Sequence, residues 1–418
     1  MKTRTEITKR YATAYVKASR AVKSQILDQV VDVTGWSRDN ARRRLTTKAA
    51  GPTRQRQPKP GPAPGSRRYS YDALKVLQQV WAASGGQCGK YLAVAMEPIL
   101  VNLEAHGHLT IGEDRYTAEV KTELLIMSSA TIDRYLAPTR RQGPIRGISA
   151  TKPGNLLRTS IKVRRAGDEA ENEPGFLEVD TVAHCGPSLK GEFARSVDFT
   201  CVHTGWVFVT AIRNNAHKHV LAALDAAEQA IPFPIAGLDC DNGSEFINHQ
   251  VIGWAADRDI FFTRSRPYRK NDQATVESKN SHLVRRYGLY WRYDTARELV
   301  LLNQLWALVC DRLNYFTPTK KPIGWDTDTK GRRRRVYDQP ATPLDRLIRS
   351  GILSPGQQTE LIAHRDSLDL LDLGKLIDDA QRRLVKLAAG KTRRLQQAPK
   401  PRLPDPSGIR TTNHEPGK

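Results

Sequence analysis

Three carboxylates lie where the sequence predicts strands and a helix of a buried core. Asp180 interrupts the apolar strand pattern Phe176–Val182, and Asp241 follows a short apolar run that stops at the turn Asn242-Gly243. Glu277 lies in the first turns of a predicted helix over residues 273–288. An acidic residue inside an apolar strand is costly unless it is paired or bound to a metal ion. Three such carboxylates could hold two Mg²⁺ (or Mn²⁺) ions, an arrangement that stabilises the attacking and leaving oxygens of phosphoryl transfer.

Other polar residues near the two aspartates are rival candidates. Glu178 and Asp239 each lie two residues earlier on the same strand face. We favour the later aspartates because they lie nearer the open strand ends, and because only Asp241 opens an Asp-Asn-Gly turn. Glu245 is expected to cap the following helix, and His184 is expected to be a loop histidine after the first strand.

The spacing of these carboxylates carries a family resemblance. Between Asp241 and Glu277 lie 35 residues, and the text at 241–246 reads Asp-Asn-Gly-Ser-Glu-Phe. Pro267-Tyr268, Gln273 and Val-Glu-Ser-Lys-Asn at 276–280 surround the glutamate. The pattern resembles the D,D-35-E core of retroviral-integrase-like DDE transposases over roughly residues 170–318. More loosely, the whole chain resembles transposases of bacterial insertion sequences, which place helix-turn-helix modules before that core. The alternative is a structural carboxylate trio in another α/β domain.

The resemblance implies an activity and its partners. A transposase of this class would use Asp180, Asp241 and Glu277 as metal ligands, free a 3′-hydroxyl at the element's end and join it to target DNA. Gln273, Lys279 and Asn280 share the glutamate's helix and would position DNA. Element-end DNA, target DNA, a homodimer or homotetramer and an ATPase helper are the implied partners. A DNA-binding regulator with an inactive core and a nuclease that only cuts are the competing interpretations.

The order of predicted elements agrees with the fold of that family. Three strands are followed by helix, strand, helix, strand and helix, which is the order of the ribonuclease-H-like fold with a mixed five-stranded sheet. The resemblance implies that the first and fourth strands lie side by side, so that Asp180 would neighbour Asp241.

Net charge indicates a polyanionic partner. The 418 residues carry a formal charge of +22, and residues 1–68 hold 17 Lys and Arg against 4 Asp and Glu. The five cysteines lack zinc-ligand spacing, and their odd number is typical of a reducing compartment. No apolar stretch reaches the length of a membrane span, so we expect a protein of the bacterial cytosol or nucleoid.

The basic N-terminal stretch has a helix-turn-helix pattern. A helix over 24–33, the turn Thr34-Gly35-Trp36 and a helix over 38–45 with Ser37 as N-cap are predicted. The second helix would present a polar and basic set to a major groove: Arg38, Asn40, Arg42, Arg43 and Arg44. Residues 119–136 are a second, less basic candidate of this type, for which a purely structural role is an equal alternative.

The remaining segments complete a multidomain prediction with all-α N-terminal modules, an α/β core and a basic C-terminal extension. The predicted order is a helix-turn-helix unit (1–49), a Pro-rich basic linker (50–68), a second helical domain (69–137), a basic extended arm (138–169), the integrase-like core (170–318), a small basic appendage (319–350), C-terminal helices (351–397) and a disordered tail (398–418). In the appendage, Arg332, Arg333, Arg334 and Arg335 are predicted to contact the DNA backbone.

Overall fold

Two compact units, Met1–Arg68 and Tyr69–Lys418, make up the chain. The computed structural model describes residues 2–49, 68–141, 162–163, 173–240, 243, 245–264, 279–327 and 333–397. Within those ranges, no helix combines the length and the apolar character that a bilayer span requires.

Most of the described secondary structure of both units is helical, and many helices begin at a residue that can cap them. Ser70, Thr117 and Ser128 each accept a backbone N–H of the following first turn. A π-helical turn over Asn280–Arg285 leads directly into the short helix α10. The helices are α1 (Lys2–Lys17), α2 (Arg20–Thr34), α3 (Arg38–Ala49), α4 (Tyr71–Ala83), α5 (Gly89–Ala105), α6 (Ala118–Leu125), α7 (Ser129–Leu136), α8 (His217–Ala230), α9 (His249–Ala256), α10 (Arg286–Gly288), α11 (Ala296–Phe316), α12 (Pro343–Arg349), α13 (Pro355–Ser367) and α14 (Leu370–Gln397).

In the first unit, α2, the turn at Gly35 and α3 lie where the sequence predicts a helix-turn-helix. Gly35 ends α2 in the left-handed region (φ +66°), and its N–H donates to the carbonyl of Val31 at 2.8 Å. Ser37 Oγ accepts the N–H of Asn40 at 3.3 Å, as expected of an N-cap for α3. The apolar core draws on all three helices: Ala12, Tyr15, Ile26, Leu27, Val30, Ala41 and Leu45.

A mixed sheet forms the centre of the second unit. Its strands are β1 (Lys162–Val163), β2 (Phe176–Ala183), β3 (Arg195–Cys201), β4 (Val207–Ile212), β5 (Gly237–Cys240) and β6 (Phe261–Arg264), in the order β1-β6-β5-β2-β3-β4. β2 pairs antiparallel with β3 and parallel with β5, so the first and fourth predicted strands are neighbours. The predicted five-stranded mixed sheet is therefore confirmed, and β1 extends it by a two-residue sixth strand beside β6.

Both faces of this sheet are covered. Along β3, the apolar residues Val197 and Phe199 alternate with polar residues, and both sets are buried. The polar set includes Ser196 and Asp198 and faces α11, because Trp306 Nε1 donates to Ser196 Oγ at 2.9 Å. A buried polar face is costly unless its groups find partners, and the candidate site is built on this face.

The helices over 71–136 pack on the same unit as the sheet. Asn102 donates to the carbonyl of Leu368 at 2.9 Å and accepts the N–H of Leu370 at 3.1 Å, which joins α5 to α14. Gln87 Nε2 donates to the carbonyl of Phe316 at the end of α11, at 3.1 Å. The second helix-turn-helix candidate is formed as α6, a turn and α7. The predicted domain boundaries inside this unit stay predictions.

The predicted helix over 273–288 is described from Lys279 onward. That part is π-helical and then α-helical, and it ends at Gly288 as predicted. The residue with positive φ (+58°) is the next one, Leu289. Gly288 is required by packing, since a Cβ there would lie 2.9 Å from the Trp306 ring and 3.0 Å from the His184 ring.

Candidate active site

Asp180 lies on β2 where the neighbouring strand β5 ends. The register pairs Val179 with Cys240, the last residue of β5, and pairs Asp180 with Asp198 of β3. The Asp180 side chain is half-buried, whereas most of β2 is fully buried. A carboxylate that reaches solvent at a strand end within a buried sheet is suited to bind a cation together with a substrate.

Two donors hold the Asp180 carboxylate. Its Oδ1 accepts the backbone N–H of Thr181 at 2.6 Å, and its Oδ2 accepts Nδ2 of Asn280 at 2.5 Å. Hydrogen bonds to a carboxylate stabilise its charged form. Asn280, predicted to position DNA, therefore contacts the candidate metal ligand, a role that its sequence context did not indicate.

Asp241, Glu277 and Gln273 lie outside the described residues. The described register ends at Val179 and Cys240, which directly precede Asp180 and Asp241 in the sequence. The roles of these three residues stay predictions.

The rival carboxylates lie deeper in the sheet. Glu178 and Asp239 are register partners on β2 and β5, and only 2% and 0% of their surface is exposed. Thr263 Oγ1 on β6 donates to Asp239 Oδ1 at 2.8 Å. Their burial removes them from contact with a macromolecular substrate, which agrees with the preference for Asp180.

A pair of opposite charges that the sequence reasoning missed, the fully buried Asp198 and the half-buried Lys279, lies beside Asp180. Asp198 is fully buried on β3, and Thr200 Oγ1 donates to its Oδ1 at 3.1 Å. Burial raises the pKa of Asp198 to about 7, opposed by the charge of Lys279. Burial likewise lowers the pKa of Lys279, opposed by the Asp198 carboxylate. Lys279, predicted to position DNA, thus stabilises a charge inside the sheet; an aspartate within the alternating polar and apolar pattern Ser196–Cys201 was the available signal.

Glu245 does not cap the helix that follows it. Asn248 accepts the N–H of Val251 at 3.0 Å and is the N-cap of α9. Glu245 is instead buried, accepts the Thr181 hydroxyl at 3.0 Å and lies 3.5 Å from Arg195 Nη1. Helix-start patterns do not distinguish a cap from a residue whose side chain finds a cross-sheet partner.

His184 directly follows β2, outside the strand as predicted, but its side chain lies in the core. It is 2% exposed, its ring packs against Tyr293 and Trp306, and its Nε2 lies 2.8 Å from Ser196 Oγ. Burial lowers the pKa of His184 to about 3, and the Arg285 charge acts in the same direction. The ring is therefore neutral at physiological pH and supports the sheet under α11.

One group among the described residues has the ligand geometry for a metal ion, and it belongs to a helix start. His108, Asp369 and Asp372 bring their ligand atoms within 4.8 Å of one another. Asp369 accepts the backbone N–H of Leu371 at 2.9 Å and contacts His108 Nε2 at 2.7 Å. These bonds are those of a helix cap and a half-buried side-chain pair, so the group is explained without an ion.

In the first unit, the candidate DNA-binding residues of α3 differ in their contacts within the protein. Arg38 is held by Asp28 and by Ser24 Oγ (2.6 Å), so it links α3 to α2. The Arg44 guanidinium lies 4.7 Å above the Trp36 ring, and its Nε donates to Asn40 at 3.2 Å. The exposed residues of α3 that complete the candidate set are Arg42 and Arg43.

The arginine run lies on a separate ribbon made of β7 (Pro322–Thr327) and β8 (Arg333–Tyr337). Arg334 pairs with Asp326 at 2.9 Å, and the Arg335 guanidinium lies 5.3 Å from the centre of the Trp325 ring. Arg333 is in β8, and Arg332 lies outside the described residues. The four arginines are therefore not equivalent.

Comparisons with known proteins agree with this architecture. Residues 170–270 match the family model described as Integrase core domain, a range that contains Asp180 and Asp241 and ends before Glu277. The chain is 36% identical over 348 residues to "Uncharacterized protein y4rM" of Sinorhizobium fredii, covering 83% of this chain and 95% of the relative.

Among solved structures, the catalytic core domain of BIV integrase matches at 16% identity, covering 42% of this chain and 95% of that chain, with a TM-score of 0.30. That likeness is too low to carry an argument. The family assignment is based on the domain match, the extensive similarity to the relative and the order of the sheet. This chain belongs to the integrase core domain family.

Proposed function

We propose that this protein cleaves the 3′ ends of a mobile DNA element and joins them to target DNA, with Asp180, Asp241 and Glu277 as metal ligands. The observation that carries the proposal is the half-buried Asp180 carboxylate, held by Asn280 and Thr181 at the end of β5. An integrase core match over residues 170–270 supports the reaction class.

The described residues fit a cation at this position. Asp180 presents oxygen to the site, and hydrogen-bond donors occupy both of its oxygens from the protein side. Two divalent cations, Mg²⁺ or Mn²⁺, would supply the activation of water or a 3′-hydroxyl and the stabilisation of the leaving oxygen. Asn280 orients the Asp180 carboxylate, and Lys279 balances the buried Asp198 beneath it.

DNA is the partner that the family and the charge of +22 indicate. We propose that α3 recognises the element ends and that the core engages target DNA. A homodimer or homotetramer would bring two ends together, with an ATPase helper as a further partner.

The test is a cleavage and strand-transfer assay on the element's own ends with Mg²⁺. Asp180→Asn, Asp241→Asn and Glu277→Gln should each abolish both steps while DNA affinity stays near wild type, because phosphate affinity comes from Lys and Arg. Asp239→Asn serves as the comparison, since it removes charge from a carboxylate that is 0% exposed. Wild-type activity in any of the three would remove that residue from the site. Specific DNA binding without cleavage by the wild type would favour the regulator with an inactive core.

A further inference from the structure

Most of the described side chains of the β7–β8 ribbon are exposed. All six residues of β7 are exposed, and within the described chain each strand packs mainly against the other. Ile323, Trp325 and Tyr337 are 63%, 56% and 48% exposed. Large apolar side chains on an exposed ribbon indicate a ligand or partner.

The base of the ribbon is firmly attached. The N–H of Lys321 donates to Asp338 Oδ1 at 2.6 Å, and the N–H of Asp338 donates to the carbonyl of Lys321 at 2.9 Å. Arg346, which is 8% exposed, donates to Asp338 Oδ2 at 2.9 Å and to the carbonyl of Ala341 at 3.0 Å. A buried guanidinium with several acceptors fixes the point where the ribbon leaves the core, so its outer part is held in place for contact with another molecule.

The two faces of the ribbon differ in charge. Asp326 and Arg334 are register partners on one face, and their ion pair neutralises it. Trp325 and Arg335 are register partners on the other, and no carboxylate of the described residues pairs with Arg335. Tyr337 lies two residues beyond Arg335 on the same side of β8. We refer to Trp325, Arg335 and Tyr337 as the tryptophan face.

We propose that the tryptophan face binds unpaired bases of DNA, with Trp325 stacking on a base and Arg335 contacting the adjoining phosphate. The inference rests on the proposed function, since it concerns the DNA on which this site would act. Aromatic rings beside arginines are the combination that binds single-stranded nucleic acid. In a duplex the faces of the bases are stacked on one another, so the ribbon would meet mainly phosphates. The exposed indole does not bind phosphate, so a duplex would not use it. The net charge of +22 favours DNA over a protein partner.

The test compares two DNAs of one random sequence, a blunt duplex and the same duplex with one strand extended by unpaired nucleotides. The full-length protein is titrated in EDTA, so that binding is measured without turnover. Trp325→Ala should weaken binding of the extended DNA by about 5- to 150-fold, the range that corresponds to 1–3 kcal/mol for one stacked base, with little effect on the blunt duplex. Trp325→Phe keeps a ring and should retain most of the preference.

Arg335→Ala and Arg334→Ala form a matched pair with the same change of charge on opposite faces. Arg335→Ala should reduce the preference for the extended DNA, whereas Arg334→Ala should lower affinity for both DNAs by the same small factor. Equal losses from the two arginine variants, or an unchanged preference in Trp325→Ala, would overturn the inference. So would a change in oligomer mass by sedimentation with DNA affinity intact, because the face would then be a protein interface.

Failure of the proposal for the tryptophan face can be distinguished from failure of the proposed function. Wild-type protein that binds neither DNA contradicts the proposed function. Protein that binds DNA and performs strand transfer, yet gains no affinity from unpaired nucleotides, contradicts only the role of the tryptophan face. Should Trp325→Ala fail to fold, Trp325→Phe and the arginine pair still decide the question.

Discussion

Replacing Asn280 by alanine tests whether this residue serves Asp180 or DNA. The substitution removes the 2.5 Å bond from Asn280 Nδ2 to Asp180 Oδ2, while the bond from the Thr181 N–H to Oδ1 remains. A hydrogen bond to a charged group contributes about 1.5–3 kcal/mol. Because one of the two donors is kept, we expect the lower half of that range, a loss of about 10- to 50-fold in strand-transfer rate.

The assay titrates Mg²⁺ at saturating DNA and measures DNA affinity separately in EDTA. A carboxylate with one donor fewer is less well oriented, so Asn280→Ala should need more Mg²⁺ for half-maximal rate while its DNA affinity is unchanged. Asn280→Asp should be slower still, since it places a second negative charge beside Asp180.

Asn303→Ala is the control for loss of stability alone. Asn303 on α11 accepts the Ala211 N–H at 2.7 Å and donates to the Ala211 carbonyl at 3.0 Å on β4. Its loss should destabilise the fold without altering the Mg²⁺ requirement. If Asn280→Ala instead weakens DNA binding and leaves the Mg²⁺ dependence unchanged, the carboxylate-positioning role is wrong and a direct DNA contact is favoured.

Three further predictions concern recognition, salt dependence and pH. A chain that begins at Tyr69 should lose its preference for element ends and bind DNA with a shallower salt dependence; an unchanged footprint would move recognition to residues 119–136. Changing the four arginines at 332–335 to Ala should flatten the slope of log affinity against log salt by up to about three units on any duplex. The expected change is about three units because Arg334 is already paired with Asp326. Equal slopes in variant and wild type would mean that the run is a solvated surface. His184 has a depressed pKa of about 3 in the folded protein, so below about pH 6.5 the unfolded chain takes up a proton that the fold excludes, and stability should fall by about 1.4 kcal/mol per pH unit until about pH 3. Urea unfolding of His184→Gln should show a shallower fall in stability than wild type between pH 6 and pH 5, both about half a unit or more below the free pKa of histidine.

Local patterns in the sequence were enough for most of the elements, and they supply the preference for Asp180 over its rival Glu178, which stays a prediction. Strand alternation, N-caps such as Ser37 and Ser128, and the turn at Gly35 depend on residues within about four positions of each other. Because β2 is apolar on both sides of Asp180, the position of this carboxylate in a buried strand could be inferred before any tertiary contact was known.

Only the tertiary structure decided what surrounds that carboxylate. Asn280 reaches Asp180 across 100 residues, Asp198 faces it through the antiparallel register, and Glu245 turns toward Arg195 and away from the helix it precedes. Such partners depend on how the sheet and α11 pack. In an isolated segment, the same side chains could contact DNA or cap a helix equally well. Long-range contacts are selected by the free energy of the whole fold. Local sequence therefore indicates where a candidate site residue lies along the chain, but not which residues orient it.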